Sequence, residues 1–222
     1  MLKTFRTTAL ALLLGSTGAL AQESARYEIT ITNITPGQTF TPQLVVTHPG
    51  RTRLFTLGEP ASQPLEFLAE AGSTVPLTEA LEGNAWDVKT IDGLLGPGES
   101  VSTRVTGRAP GQGFISMAAM LIPTNDTFVA LNRVRLHRNG MRTYMVPAYD
   151  SGTEPNDQNC LNIPGPRCGG EDYNPEGGEG VVHIGNGFHQ LADDEVEGGE
   201  VLGPLVYDWR NPVAKVVVRR LN

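Results

Sequence analysis

Cysteine, basic residues and long apolar runs are all scarce in this chain, and each scarcity argues against a class of protein. The 222 residues include two cysteines, without the CxxC spacing of a cysteine-ligated metal site. Lysine and arginine number 17 against 24 aspartates and glutamates, whereas a nucleic-acid-binding surface needs an excess of basic residues. After residue 21 no apolar run is long enough to cross a bilayer, so we expect no transmembrane segment.

Well-known catalytic motifs are also missing. The sequence has no GxSxG elbow, no HExxH, no P-loop and no dinucleotide-binding fingerprint. The residues from Asp150 onward do not form an EF-hand, because Gly152 occupies a ligand position and the closing glutamate is absent. His183 and His189 could together ligate a transition metal, although single histidines near strand ends are more often structural. An enzyme is therefore not favoured, and the alternative is a periplasmic or secreted hydrolase that uses an acidic cleft.

The first 21 residues have the pattern of a secretory signal peptide. Lys3 and Arg6 give a basic start, residues 9–14 are apolar, and the small residues at 19–21 form a cleavage site. We therefore expect an exported protein, periplasmic or secreted, whose residues 22–222 fold as a single domain.

The remaining chain has the pattern of short strands joined by turns, since glycine (26) and proline (16) are frequent. Residues 27–33 and 100–105 alternate between polar and apolar side chains, which predicts half-buried strands. Residues 113–122 are almost entirely apolar and predict a central strand that is buried on both faces. The sequence therefore predicts the all-β class, as an antiparallel β-sandwich of about eight strands whose first and last strands lie together.

One or two short helices are expected to interrupt the strands. Ser62 can cap a helix that has Pro64 in its first turn and ends at Gly72. Residues 75–81 add a further helical turn, and residues 54–57 are either a short edge strand or an extended link.

The acidic residues are concentrated in one part of the chain. Half of them fall between positions 150 and 200, where Arg167 is the one lysine or arginine. The long loop at 152–180 is rich in glycine, proline and acids, and such loops are usually functional or mobile. The close pair Cys160 and Cys168 predicts a disulfide within this loop, as expected in an exported protein. The acidic surplus suits a bound cation or, in the simpler interpretation, a solvated surface.

The rest of the chain is organised around residues 121–157, in which two apolar strands each end in a loop of carboxylates and amides. Asp126 lies in the first loop, and Asp150 and Glu154 lie in the second. If both loops occupy the same end of a sheet, these three side chains converge as hard oxygen ligands for Ca²⁺. The alternative is that Asp126 and Asp150 are Asx-turn residues that cap strand ends.

Five segments carry a resemblance to a known family. They read ITN at 31–33, FTLGEPAS at 55–62, MLIPTNDTFVAL at 120–131, AYDSGTE at 148–154 and YDWRNPVAK at 207–215. In these segments the chain resembles the spondin domain, which is the spondin N-terminal domain of F-spondin and its bacterial relatives. The segments occur in order over nearly all of residues 22–222, and the third and fourth are the most specific.

The resemblance implies a C2-like β-sandwich that binds one calcium ion at one end through carboxylates of the two most specific segments. Those positions correspond to Asp126, Asp150 and Glu154, of which the last is usually Asp in the animal proteins. We therefore expect an exported, non-enzymatic calcium-binding module with a binding or adhesion role at the cell surface or outside the cell. The animal proteins carry thrombospondin-type repeats and a reelin-like domain that this sequence lacks. The binding partners of the animal proteins are therefore not carried over, and we expect an unknown extracellular ligand such as a glycan, a matrix protein or a lipid headgroup.

Overall fold

The computed structural model describes residues 24–108, 112–174, 177–188 and 199–222. The expected signal peptide and His189 lie outside these ranges. Within them, the strands are β1 (Ser24–Asn33), β2 (Thr39–Phe40), β3 (Gln43–His48), β4 (Asp87–Ile91), β5 (Ser100–Arg108), β6 (Phe114–Ile122), β7 (Thr127–Arg135), β8 (Met141–Val146), β9 (Ala148–Asp150), β10 (His183–Ile184) and β11 (Ala214–Arg220). The α-helices are α1 (Gln63–Ala71), α2 (Val75–Leu81) and α3 (Pro204–Tyr207), and Cys160–Asn162 forms a single 3₁₀ turn.

Two antiparallel sheets contain these strands. The first has the order β5-β1-β11-β8, and the second has the order β10-β9-β7-β6-β3-β4 with β2 paired to β6. The first and last long strands do lie together, with Tyr27 opposite Arg220 and Asn33 opposite Ala214. The predicted antiparallel β-sandwich is thus confirmed. Eight of the strands have five or more residues, which matches the expectation of about eight. The other three, β2, β9 and β10, have only two or three residues each.

The core lies between the two sheets, and a second apolar layer covers the outer face of the larger sheet. Alternate side chains of β1 enter the central core, and Tyr27, Ile29 and Ile31 are fully buried there. Strand β6 is buried on both faces, as predicted: Met117 faces the central core, whereas Ala118 packs in the outer layer. This double burial explains why β6 has almost no polar side chains.

Helices α1 and α2 form the outer layer. Leu65 and Leu68 of α1 are fully buried in it, and Gly72 ends the helix in a left-handed conformation (φ 66°) that glycine adopts without strain. Residues 54–57 form no strand, so the extended link is the correct alternative. Across the described ranges, no helix combines the length and apolarity that crossing a membrane would require.

The predicted disulfide between Cys160 and Cys168 is present, with an S–S distance of 2.02 Å. It closes a short loop whose backbone is already folded on itself, since Glu171 N–H donates to the Leu161 carbonyl and Gly170 N–H to the Ile163 carbonyl. Both cysteines pack against the central core, so the disulfide holds the first half of the acidic loop against the β-sandwich.

Replacing both Cys160 and Cys168 by Ser should lower the free energy of unfolding by about 2–3 kcal/mol, because the unfolded chain regains the entropy of a short closed loop. Urea denaturation measures the difference. The unmodified protein in reducing agent is the control, and its free energy of unfolding should fall by the same amount. Equal stability of the oxidised protein and the double variant would contradict the expectation.

Candidate metal centre

The pairing of β7 with β9 brings the two carboxylate loops together. Thr127 lies opposite Asp150, and Val129 lies opposite Ala148. Asp126 immediately precedes β7, and Asp150 ends β9, so the two side chains emerge side by side at one end of the larger sheet. The turn that follows Asp150 then carries Glu154 back toward Asp126, whose carboxylate accepts the Glu154 N–H at 3.2 Å.

Asp126 is the centre of this arrangement. Its side chain is completely buried, and its Oδ2 accepts hydrogen bonds from Thr153 N–H at 2.8 Å and from the Ser151 hydroxyl at 2.9 Å. The other oxygen, Oδ1, has no hydrogen-bond partner among the described residues. A buried carboxylate oxygen without a partner is costly, because it has lost its water and gained nothing in return.

Asp150 is held by its own turn. Its Oδ1 accepts the Gly152 N–H at 2.8 Å, and its Oδ2 accepts the side-chain amide of Asn156 at 2.8 Å. Gly152 has a positive φ of 70°, and a Cβ there would lie 2.3 Å from the Val181 carbonyl oxygen. Glycine is therefore required for this turn. The Asx-turn alternative accounts for the bond from Gly152 to Asp150, but it leaves Asp126 Oδ1 unexplained.

Glu154 completes the set of sequence-predicted ligands. It is 3% exposed, and its Oε2 finds no hydrogen-bond donor within the described part of the chain. The structure thus brings all three predicted side chains to the same buried end of the sandwich. Among the described residues, the group whose ligand atoms lie within 4.8 Å of one another is instead Asp150, Glu179 and His183, so one ion shared by Asp126, Asp150 and Glu154 stays a prediction.

The electrostatics of the three carboxyl groups agree with their burial. Burial raises the pKa of Asp126 above its ordinary value, despite the donors around Oδ2 and a hydrogen bond that the Asp150 carboxyl group can make when one of the two is protonated. Burial, together with the charge of Asp126, raises the pKa of Asp150 to about 7. Burial and the charges of Glu70 and Asp126 raise the pKa of Glu154 to about 9. Without a cation, Asp150 and Glu154 therefore hold protons at pH values at which ordinary carboxyl groups have lost them.

Glu70 is a fourth buried carboxylate, which the sequence did not single out. It comes from the last turn of α1, is 1% exposed, and accepts the Asn174 N–H on Oε2 at 2.9 Å. Its Oε1 has no hydrogen-bond partner in the ranges that the structure describes. Burial is the main cause that raises its pKa, and the charge of Asp126 adds to the shift. Nothing in the helical pattern distinguishes this glutamate from a surface residue.

Glu179 and His183 adjoin the same centre from the far side of Asp150. One ligand atom each from Asp150, Glu179 and His183 lies within 4.8 Å of the others, so this group could hold a metal ion. The His183 Nε2 atom is 3.3 Å from Asp150 Oδ1 and 3.5 Å from Glu179 Oε2, without hydrogen-bond geometry to either. His183 was a candidate from sequence, but Glu179 was one of many acids in its loop.

The tautomer of His183 is set by its backbone. Its Nδ1–H donates to the Ile184 carbonyl at 3.0 Å, which leaves Nε2 facing the two carboxylates. Burial lowers the pKa of His183, but the Ile184 carbonyl and the carboxylates of Asp150 and Glu179 outweigh burial and raise it overall. The imidazole could therefore serve as a metal ligand or, when protonated, as an ionic partner of the two acids.

Apart from His183, few positively charged side chains of the described residues act on these carboxylates. The main influences on the pKa values of Glu70, Asp126, Asp150 and Glu154 include no lysine or arginine of the described ranges. Buried like charges without a counter-ion repel one another, so the arrangement favours either bound protons or a bound cation.

Comparison with known proteins adds no relative that could guide the choice of ion. No protein-family model matches the chain, and no curated protein matches it either. The resemblance to the spondin domain therefore stays a prediction, and the donor atoms themselves are the basis for naming an ion.

Proposed function

We propose that this protein is an exported calcium-binding β-sandwich module of the spondin type, with Ca²⁺ held by Asp126, Asp150 and Glu154. The observation that carries the proposal is the pair of unpartnered, buried oxygens, Asp126 Oδ1 and Glu154 Oε2, beside the third carboxylate. A hard divalent cation would supply the missing partner for both oxygens and would neutralise the repulsion among the three groups.

The donor set favours calcium over magnesium. Asp126, Asp150 and Glu154 offer only oxygen, and they come from a rigid strand end and a turn, with side chains of two lengths. Calcium accepts six to eight oxygens in irregular geometry at about 2.3–2.6 Å, whereas magnesium demands a near-ideal octahedron and retains several waters. A site formed by two loops is better suited to the more tolerant ion.

The expected role follows from where the site lies. Calcium would neutralise the acidic end of the sandwich and hold the Asp150–Glu154 turn against the β6–β7 loop. Such an end could bind an anionic partner through the ion or through the surrounding loops. We propose a binding or adhesion role outside the cell, with a glycan, a matrix protein or a lipid headgroup as partner.

Titration calorimetry of the chelator-treated protein with calcium and with magnesium tests the metal assignment. We expect one calcium ion per chain and weaker binding of magnesium, because the donors are fixed by the fold. The melting temperature should rise with calcium concentration, since an ion that binds the native state stabilises it. No heat and no rise in melting temperature at millimolar calcium would remove calcium from the proposal.

The alternative function, a metal-dependent hydrolase, has one observation in its favour. The group of Asp150, Glu179 and His183 includes an imidazole nitrogen, which zinc accepts readily and calcium does not. A hydrolase would therefore be expected to prefer zinc and to depend on His183.

His183→Ala separates the two functions. If calcium is bound by the oxygen ligands, its dissociation constant should change by less than about tenfold, a difference of under ~1.4 kcal/mol. Asp150→Asn is the matched control, because Asp150 belongs to both sets of ligands and its loss should weaken either ion. Tighter binding of zinc than of calcium by the unmodified protein, abolished in His183→Ala, would favour the hydrolase.

A further inference from the structure

We propose that Glu70 is a further ligand of the same calcium ion, so that the ion joins helix α1 to the end of the β-sandwich. The inference rests on the calcium-binding function proposed above. It adds a helical residue that neither the sequence pattern nor the spondin resemblance assigns.

The burial of Glu70 is the first argument. It follows the buried residues Leu68 and Ala69 in α1, and it is itself 1% exposed. The loop beyond the disulfide covers this side of the helix, where the Tyr173 ring stacks on Phe67 with centroids 3.9 Å apart. Glutamate is almost never fully buried unless a partner compensates its charge.

The second argument is a shared hydrogen-bond donor. The Asn174 N–H donates to Glu70 Oε2 at 2.9 Å, and the same N–H also faces the Glu154 carboxyl group and lowers the pKa of that group. Glu70 and Glu154 therefore converge on one amide. A single N–H cannot satisfy two carboxylates, so at least one of them needs a further partner.

The third argument links Glu70 to Asp126 in the same way. Thr153 donates its N–H to Asp126 Oδ2 at 2.8 Å, and its side chain also lies against the Glu70 carboxyl group. One residue thus contacts both carboxylates. The charge of Asp126 also raises the pKa of Glu70.

These contacts leave three unpartnered oxygens on carboxyl groups that share Thr153 and Asn174 as neighbours. Glu70 Oε1, Asp126 Oδ1 and Glu154 Oε2 are each buried, and none has a hydrogen-bond partner among the residues that the structure describes. They belong to a helix, to the loop before β7 and to the turn after β9. One ion bound to all three would tie the helical layer to both loops, and calcium would then order α1 as well as the strand ends.

Glu70→Gln is the decisive variant, because it keeps the size and the Asn174 contact but removes the negative charge. Calorimetry should show calcium binding at least about tenfold weaker than in the unmodified protein, in line with the loss of a metal-site partner. At pH 9 the metal-free variant should melt at a higher temperature than the unmodified metal-free protein, because a glutamine cannot ionise beside Asp126. Glu79→Gln is the matched control, since it makes the same change at an exposed position of helix α2 and should alter neither quantity.

The outcomes separate this inference from the function it rests on. If the unmodified protein binds calcium and Glu70→Gln binds it equally well, Glu70 is not a ligand and the calcium-binding function stands. A metal-free Glu70→Gln protein that melts lower, with unchanged calcium affinity, would assign Glu70 a purely structural role and overturn the inference. If the unmodified protein binds no calcium, both proposals fail together.

Discussion

Asp126→Asn should remove most of the stabilisation that calcium provides. The amide oxygen can still accept the Thr153 and Glu154 N–H groups, so the turn keeps its hydrogen bonds. The charge is lost, however, and an amide nitrogen replaces the unpartnered Oδ1 that is expected to contact the ion. The fold should therefore survive while calcium binding is lost.

The size of the effect follows from mass action. Calcium at a thousandfold excess over its dissociation constant stabilises the native state by about 4.1 kcal/mol. For a domain of this size, one kcal/mol corresponds to about 2–4 °C, so the melting temperature should rise on the order of 10 °C. Differential scanning calorimetry with calcium and with chelator measures this rise in both proteins.

Asp172→Asn is the control for Asp126→Asn. It removes one negative charge from an exposed position in the acidic loop. It should leave the calcium-dependent rise unchanged, because exposed charges contribute little. An Asp126→Asn protein that is stabilised by calcium as strongly as the unmodified protein would show that the ion binds elsewhere.

The metal-free protein should lose stability as the pH rises from 5 to 9. The pKa of Asp150 is raised to about 7 and that of Glu154 to about 9, and burial is the main cause in both cases. The folded state therefore holds protons in this range that the unfolded chain has already released. Unfolding releases protons, so the free energy of unfolding falls as the pH increases.

The neighbouring groups act in the same direction. Burial raises the pKa of Glu70 and of Asp126, and the folded-state pKa of His183 is also raised, so its contribution is lost as the pH increases. With each pKa unit worth ~1.4 kcal/mol before solvent screening, the melting temperature should fall on the order of 10 °C between pH 5 and pH 9.

Calcium should abolish most of this pH dependence. The bound ion takes the place of the protons, so its stabilising effect should be largest at pH 9 and smallest at pH 5. Thermal melts at several pH values, with calcium and with chelator, provide the measurement. A metal-free protein whose stability increased toward pH 9 would show that burial does not raise the pKa values of these carboxyl groups.

The fold was largely predictable because its long strands have strong periodic patterns. Alternation in β1 and the apolar run of β6 each span nine or ten residues, which is enough to define a buried face. Strands β2 and β9 have two and three residues and contain no period of their own. Their pairing is determined by the neighbouring strand, so only the folded chain reveals them.

The candidate site was predictable in part for the same reason. Asp126 and Asp150 stand at the ends of strongly patterned strands, and the position of a strand end can be read from the sequence. Glu179 is one of many acids in a loop, and it becomes relevant because β10 pairs with β9 and places His183 opposite Asp150. No local pattern contains that pairing.

The sequence by itself determined the all-β class, the disulfide and the loops that carry Asp126, Asp150 and Glu154, because these depend on periodicity, strand ends and the spacing of two cysteines. Only the tertiary structure decided which carboxylates are buried together. Burial of Glu70 depends on a loop a hundred residues later in the chain, whose Asn174 N–H reaches its carboxylate. Desolvation is a property of the assembled surroundings of a side chain, and therefore no local pattern in the sequence could show it.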